Sequence, residues 1–106
     1  MDGDAFMVGV EATSPAVVRL HGELDLAGVP RLLSALAGLD GDVALDCSGL
    51  DFIDAAGLGA FVRAHRQCAA RGAEPVVVDP SPAVLRLLRI VDLDTVLHLR
   101  RNGAVS

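Results

Sequence analysis

A chain of 106 residues that is 52% hydrophobic but only 3% aromatic has the mass for one core and not for two, and it builds that core from Val, Leu, Ile and Ala. Its formal net charge of −5 offers little to neutralise a phosphate backbone, which argues against general nucleic-acid binding. All nine basic residues are Arg, so chemistry that recruits a lysine ammonium is excluded.

The opening Met1-Asp-Gly-Asp is acidic, with no basic stretch leading into an apolar run, so no secretory leader is read here. No apolar stretch approaches the roughly 18 residues of a membrane span. A cytoplasmic chain with no membrane attachment is expected. Residues 6–11 and 16–21 are runs rich in β-branched side chains, separated by turn residues at 12–15. They predict an opening β-hairpin. After Gly22-Glu-Leu-Asp, the residues Val29, Leu32, Leu33, Leu36 and Leu39 recur on one helical face. Asp25 is the expected N-cap of that helix, Pro30 suits its first turn, and Asp40-Gly41 ends it.

Residues 43–46 read as a short apolar strand covered on both faces, running into a loop that ends at Asp54. A second helix is predicted from about Ala55 to Arg71. Its inner stripe is Leu58, Phe61, Val62, His65 and Ala69; Arg63, Arg66, Gln67 and Arg71 face solvent, and Gly72 terminates it. Residues 75–79 form a strand. Ser81 then caps a third helix with Pro82 at its first position and Val84, Leu87, Leu88 and Val91 facing inward. Residues 96–99 are a final strand, and 100–106 a loose tail. The order β-β-α-β-α-β-α-β predicts a single α/β domain over 1–106, with its core at about 6–99. Its sheet is mixed and mostly parallel, opened by the hairpin, with helices joined by right-handed crossovers.

Cys47 and Cys68 have neither metal nor redox spacing. Cys68 lies about 12 residues into the second helix, on the order of 18 Å along its axis. A disulfide requires Cα atoms within about 7 Å, so two separate buried thiols are expected. His21, His65 and His98 form no metal-spaced pair.

In an open parallel sheet, function gathers outside the carboxyl ends of the strands. Glu23, Asp25, Asp46, Asp51, Asp54 and Asp79 fall at or just after the predicted ends, and form a candidate partner-facing or ion-binding surface. Ser48 is expected to satisfy its loop and Ser81 to cap its helix. Gly57 and Gly59 keep the first turn of the second helix free of bulk, either for an approaching partner backbone or for tight packing within the domain.

Residues 46–59 read Asp-Cys-Ser-Gly-Leu-Asp-Phe-Ile-Asp-Ala-Ala-Gly-Leu-Gly. This resembles the Asp-Leu-Ser-Gly-Val-x-Phe-x-Asp-Ser-Ser-Gly-Leu-Gly run of the sulfate-transporter-and-anti-sigma-antagonist (STAS) domain family. Residues 19–27 and 77–88 add to the resemblance, which covers roughly Val8 to Leu99. It implies the STAS fold and, for the bacterial sigma-regulating members, an anti-sigma-factor antagonist. Such a protein docks on an anti-sigma factor of serine-kinase/ATPase type and frees a sigma factor. The second Ser of the motif is the one phosphorylated in those members. Ala55 and Ala56 occupy the two Ser positions here, so Ala56 is the phosphoacceptor-equivalent. The partner-binding residues expected are Glu23, Asp25, Asp54, Ala56, Gly57, Leu58 and Gly59. No catalytic residue, metal or cofactor is expected, and a weak homodimer is allowed. The alternatives are a STAS subunit of a larger stress-signalling or transport assembly, and an Mg²⁺-dependent phosphoryl-handling protein. The missing Lys and the missing phosphate-cradling loop weigh against the last.

Overall fold

The computed structural model describes residues 6–101. It comprises β1 (Phe6–Glu11), β2 (Ala16–Leu24), α1 (Val29–Ala37), β3 (Val43–Ile53), α2 (Ala55–Ala70), β4 (Pro75–Val78), α3 (Pro82–Ile90), a 3₁₀ turn (Leu93–Thr95) and β5 (His98–Arg100). The five strands lie in the order β1-β2-β3-β4-β5. β1 pairs antiparallel with β2 and every other neighbour is parallel. The expected α/β architecture with its opening hairpin is therefore present.

One core joins all three helices to alternate strand residues. Val18 and Leu20 of β2, Val43, Leu45 and Cys47 of β3 and Val77 of β4 cluster with Leu32, Leu36, Phe61, Ala64, Val84 and Leu88. Alternation puts the intervening residues on the opposite face. There Arg19, His21 and Ser48 are exposed and Val17, Asp46 and Val76 half-buried. Arg19 bridges Glu11 at 2.7 Å and approaches Asp46 at 3.6 Å on that side. β3 is thus not covered by helices on both faces, contrary to the reading of its apolar run. Ala44 is buried on the second face because it lies between its strand partners Val17 and Val76.

β3 runs to Ile53, seven residues beyond the predicted end, and replaces the predicted loop. β2 likewise extends to Leu24. Two bulges explain why these residues did not read as strand. Pairing passes from Arg19↔Asp46 to His21↔Gly49 and from Gly22↔Leu50 to Glu23↔Phe52, and each step leaves one extra residue in β3. A bulge breaks the two-residue alternation that marks a strand.

The helix faces also shift. α2 buries Gly57, Ala60, Phe61, Ala64 and Cys68; of the predicted stripe only Phe61 is buried, while Leu58, Val62 and His65 are half-buried and Ala69 is exposed. Gly57 sets this phase by lying against the sheet. α3 buries Val84, Leu85 and Leu88 and leaves Val91 exposed. β5 begins two residues later than predicted, after the 3₁₀ turn, and includes Arg100. The predicted loose tail otherwise lies, from residue 102 onward, outside the described residues. Gly72, at φ +76°, ends α2 as expected: its amide donates to Ala69 O and the Ala73 amide to Cys68 O.

Candidate protein-docking site at the start of α2

The site begins where β2 and β3 run out together. Gly49 lies opposite His21, and a Cβ there would overlap the imidazole, so glycine lets the two strands stay paired past the first bulge. The second bulge re-aims the next side chains. Ile53 turns into the core, whereas Phe52 is left 47% exposed. The ladder ends with the Asp54 amide donating to Leu24 O at 3.3 Å.

Asp54 then caps α2. Its extended backbone turns the chain, and its Oδ1 accepts from the Gly57 amide at 2.9 Å while its carbonyl accepts from Leu58 at 2.9 Å. This satisfies a helix-terminal donor that would otherwise be open. Gly57 is buried. A Cβ there would stand 2.6 Å from Ile53 Cγ1 and 2.6 Å from Leu24 O. Its lack of bulk therefore serves packing within the domain and not the approach of a partner backbone. Gly59 is exposed with open space around it. Ala55 is exposed, while Ala56 and Leu58 are half-buried against the core.

Asp25 is half-buried and does not cap α1. Its Oδ1 accepts from the Ala27 amide at 3.1 Å and the Gly28 amide at 3.3 Å, which stabilises the turn ahead of the helix; Gly28 occupies the N-cap. Leu26, in the same turn, is 74% exposed. Glu23, paired with Phe52, and Asp51 are exposed at this end of the sheet. Asp46 does not join them. It sits mid-strand and its Oδ1 accepts from the Ser48 amide at 3.0 Å and the Ser48 hydroxyl at 2.8 Å. The hydroxyl is thus held by a carboxylate rather than by loop backbone. Asp79 follows the end of β4 at Val78, which pairs with Asp46 of β3, so it too is apart from the α2 start.

The arrangement has the chemistry of a recognition surface. Exposed Leu26, Phe52 and Ala55 lie at the same end as Glu23, Asp25, Asp51 and Asp54. Leu26 and Phe52 escaped the sequence reading. Both are apolar in apolar-rich runs, and only the bulge pairing of β2 with β3 turns Phe52 outward. Among the described residues no group of three or more His, Cys, Asp or Glu is placed to hold a metal ion, and no helix is long and apolar enough to cross a membrane. Cys47 and Cys68 are both free. Burial, with a smaller push from Asp46, drives the Cys47 thiol up to about 12; burial also raises Cys68, against the opposing charge of Arg71. Both thiols are inert floor rather than reactive groups.

Residues 9–100 match the family described as "Mlab, STAS domain". This chain belongs to the STAS domain family. No curated protein sequence matches it significantly. Among solved structures, the anti-sigma factor antagonist SpoIIAA in its unphosphorylated form is similar at 21% identity and a TM-score of 0.78, over 92% of this chain and 90% of that one. An anti-sigma factor antagonist from Mycobacterium paratuberculosis is similar at 24% identity and 0.79, over 92% and 87%. SpoIIAA from Bacillus in its phosphorylated form is similar at 22% identity and 0.71, over 94% and 93%. Likeness at this level of identity establishes the fold. The STAS fold explains the element order, and the α2 start of this STAS domain carries alanine at both positions where the resembling motif has serine.

Proposed function

We propose that this STAS domain is an anti-sigma-factor antagonist: a cytoplasmic, non-catalytic module that docks on an anti-sigma factor of ATPase type and thereby frees a sigma factor. The observation that carries this reading is the first turn of α2, capped by Asp54 and flanked by exposed Leu26, Phe52 and Ala55. In this reading Glu23, Asp25, Asp54 and Gly59 meet the partner together with Leu26 and Phe52, Ala56 borders the contact, and Gly57 and Leu58 hold the turn in place from beneath. The similarity to the named antagonists supports the class of partner.

Ala55 and Ala56 offer no oxygen, so the proposed module binds without being switched by phosphate at this turn. A phosphate at position 56 would add about −1.5 to −2 charges beside Asp54 and oppose docking. The test is labelling by radioactive ATP in the presence of a purified anti-sigma factor of ATPase type. The native chain binds and takes up no label; Ala56→Ser takes up label and binds more weakly. Label on the native chain at Ser48 or Ser81 would contradict the loss of the switch.

Membership of the STAS family also allows a second reading, in which the same surface seats the domain in a larger stress-signalling or transport assembly. Retention of the chain by a transporter subunit, with no affinity for the anti-sigma factor, would select it.

A further inference from the structure

The far end of the sheet from β1 carries a basic groove that the α2 docking surface does not use. Two adjoining hollows, of about 420 Å³ and about 160 Å³, share Pro80, Leu85, Arg89 and Arg101 in their walls. Arg86 lines the larger and Arg100 the smaller. Four of the nine arginines of a chain with net charge −5 therefore meet in one place. Among the described residues the only carboxylate in the lining is Asp79.

The fold assembles this groove from two separate segments. Arg86 and Arg89 stand three residues apart on α3, hence on one face of it. Asp79, in the left-handed region at φ 52°, turns the chain out of β4, and its amide donates to Arg100 O at 2.8 Å. That bond brings the β5 exit, with Arg100 and Arg101, alongside α3. All four guanidinium-bearing residues are exposed, so nothing in the core requires their charge. The walls between them include the apolar residues Pro80, Pro82, Leu85 and Leu99.

We propose that this groove is a second docking site, and that its occupant is an acidic, extended segment of a partner polypeptide carrying at least one apolar side chain. Charge complementarity selects the acidic character, since planar guanidinium groups pair bidentately with carboxylates. The mixed lining selects a peptide over a bare anion. A small anion would leave the apolar walls unmatched, and a long nucleic acid would meet the acidic remainder of the molecule.

The experiment uses the full chain and a fluorescein-labelled Glu-rich peptide of about ten residues containing two Leu, with a Lys-for-Glu version as control. Binding is followed by fluorescence anisotropy. The expected result is saturable binding of the acidic peptide only. It weakens about tenfold in the Arg86→Glu/Arg101→Glu double variant and on raising salt from about 50 mM to about 500 mM. Arg63→Glu/Arg66→Glu, on the solvent face of α2, makes the same change in net charge and should shift affinity less than about twofold. Circular dichroism melts verify that both variants fold. Equal losses in the two double variants would reduce the effect to overall charge and overturn the proposal. So would binding no tighter than that of the Lys control, or displacement of the peptide by inorganic phosphate or a short oligonucleotide at matched concentration.

Discussion

β3 is one strand with two environments. Residues 43–46 have strand partners on both sides, in β2 and β4, and Val43, Leu45 and Cys47 form the floor under the helices. Among the described residues, 48–53 pair with β2 alone, after β4 has ended, and expose Ser48, Asp51 and Phe52. The first half is paired along both flanks and buries Val43, Ala44 and Leu45, so it holds the fold. The second half is still a strand, which fixes its geometry, and it projects exposed side chains from a rigid base. The outer half also anchors Leu50 and Ile53 in the core, so the exposed side chains of this half ride on a strand that is anchored in the core along its whole length.

The largest expected contrast concerns pH. The sequence contains no Lys and no Tyr, so above pH 9 the two thiols are the side chains that titrate below Arg. Cys47 is raised from 9.0 to about 12 by burial in the inner half. Its protonated form is the one the fold holds. Its stabilising contribution is therefore complete below pH 9 and lost as pH rises towards 12, by up to about 4 kcal/mol. Urea titrations between pH 8 and pH 11 check this: the native chain loses stability steeply, and Cys47→Ala flattens the curve. A curve as steep in Cys47→Ala would place the alkaline weakness elsewhere.

The junction between the outer half and α2 comes next. Gly57→Ala drives a methyl into Ile53 and the Leu24 carbonyl, and is expected to cost about 1–3 kcal/mol. Gly59→Ala, with open space around the new methyl, should be neutral or slightly stabilising, by a few tenths of a kcal/mol, because alanine is the better helix former. Equal effects of the two in thermal denaturation would break the assignment of Gly57 to packing.

A smaller effect tests the cap. Asp54→Ala removes the acceptor of the Gly57 amide and should cost about 1 kcal/mol. Ser81→Ala, at the matching cap of α3, should cost a similar amount. Only the Asp54 variant should also weaken partner binding, which separates a shared structural role from one that is structural and functional together.

These differences track what the sequence disclosed. The hairpin, the three helices, the Ser81 cap and the Asp54 cap were legible, because each rests on local spacing or on a residue whose side chain bonds its own backbone. The inner half of β3 was legible as an apolar run. The outer half was not. Its two bulges interrupt the alternation, and Ser48-Gly49 imitates a loop, so the local pattern ends β3 early and puts Asp46 at a surface it does not reach. Asp25 was read as a cap because it precedes the helical period; its bonds to Ala27 and Gly28 form a turn instead. The exposure of Leu26 and Phe52, and the meeting of Arg86 and Arg89 with Arg100 and Arg101, are products of long-range register that no local window contains.

The central claim is that the exposed side chains at the outer end of β3 and the start of α2 recognise the partner. Calorimetric titration of an ATPase-type anti-sigma factor with the native chain and with Leu26→Ala/Phe52→Ala tests it most directly. Both side chains are exposed, so the double variant should keep its melting temperature within a few degrees. Its affinity should fall at least tenfold, as expected for apolar anchors in a contact. Unchanged affinity in a folded double variant would contradict the account.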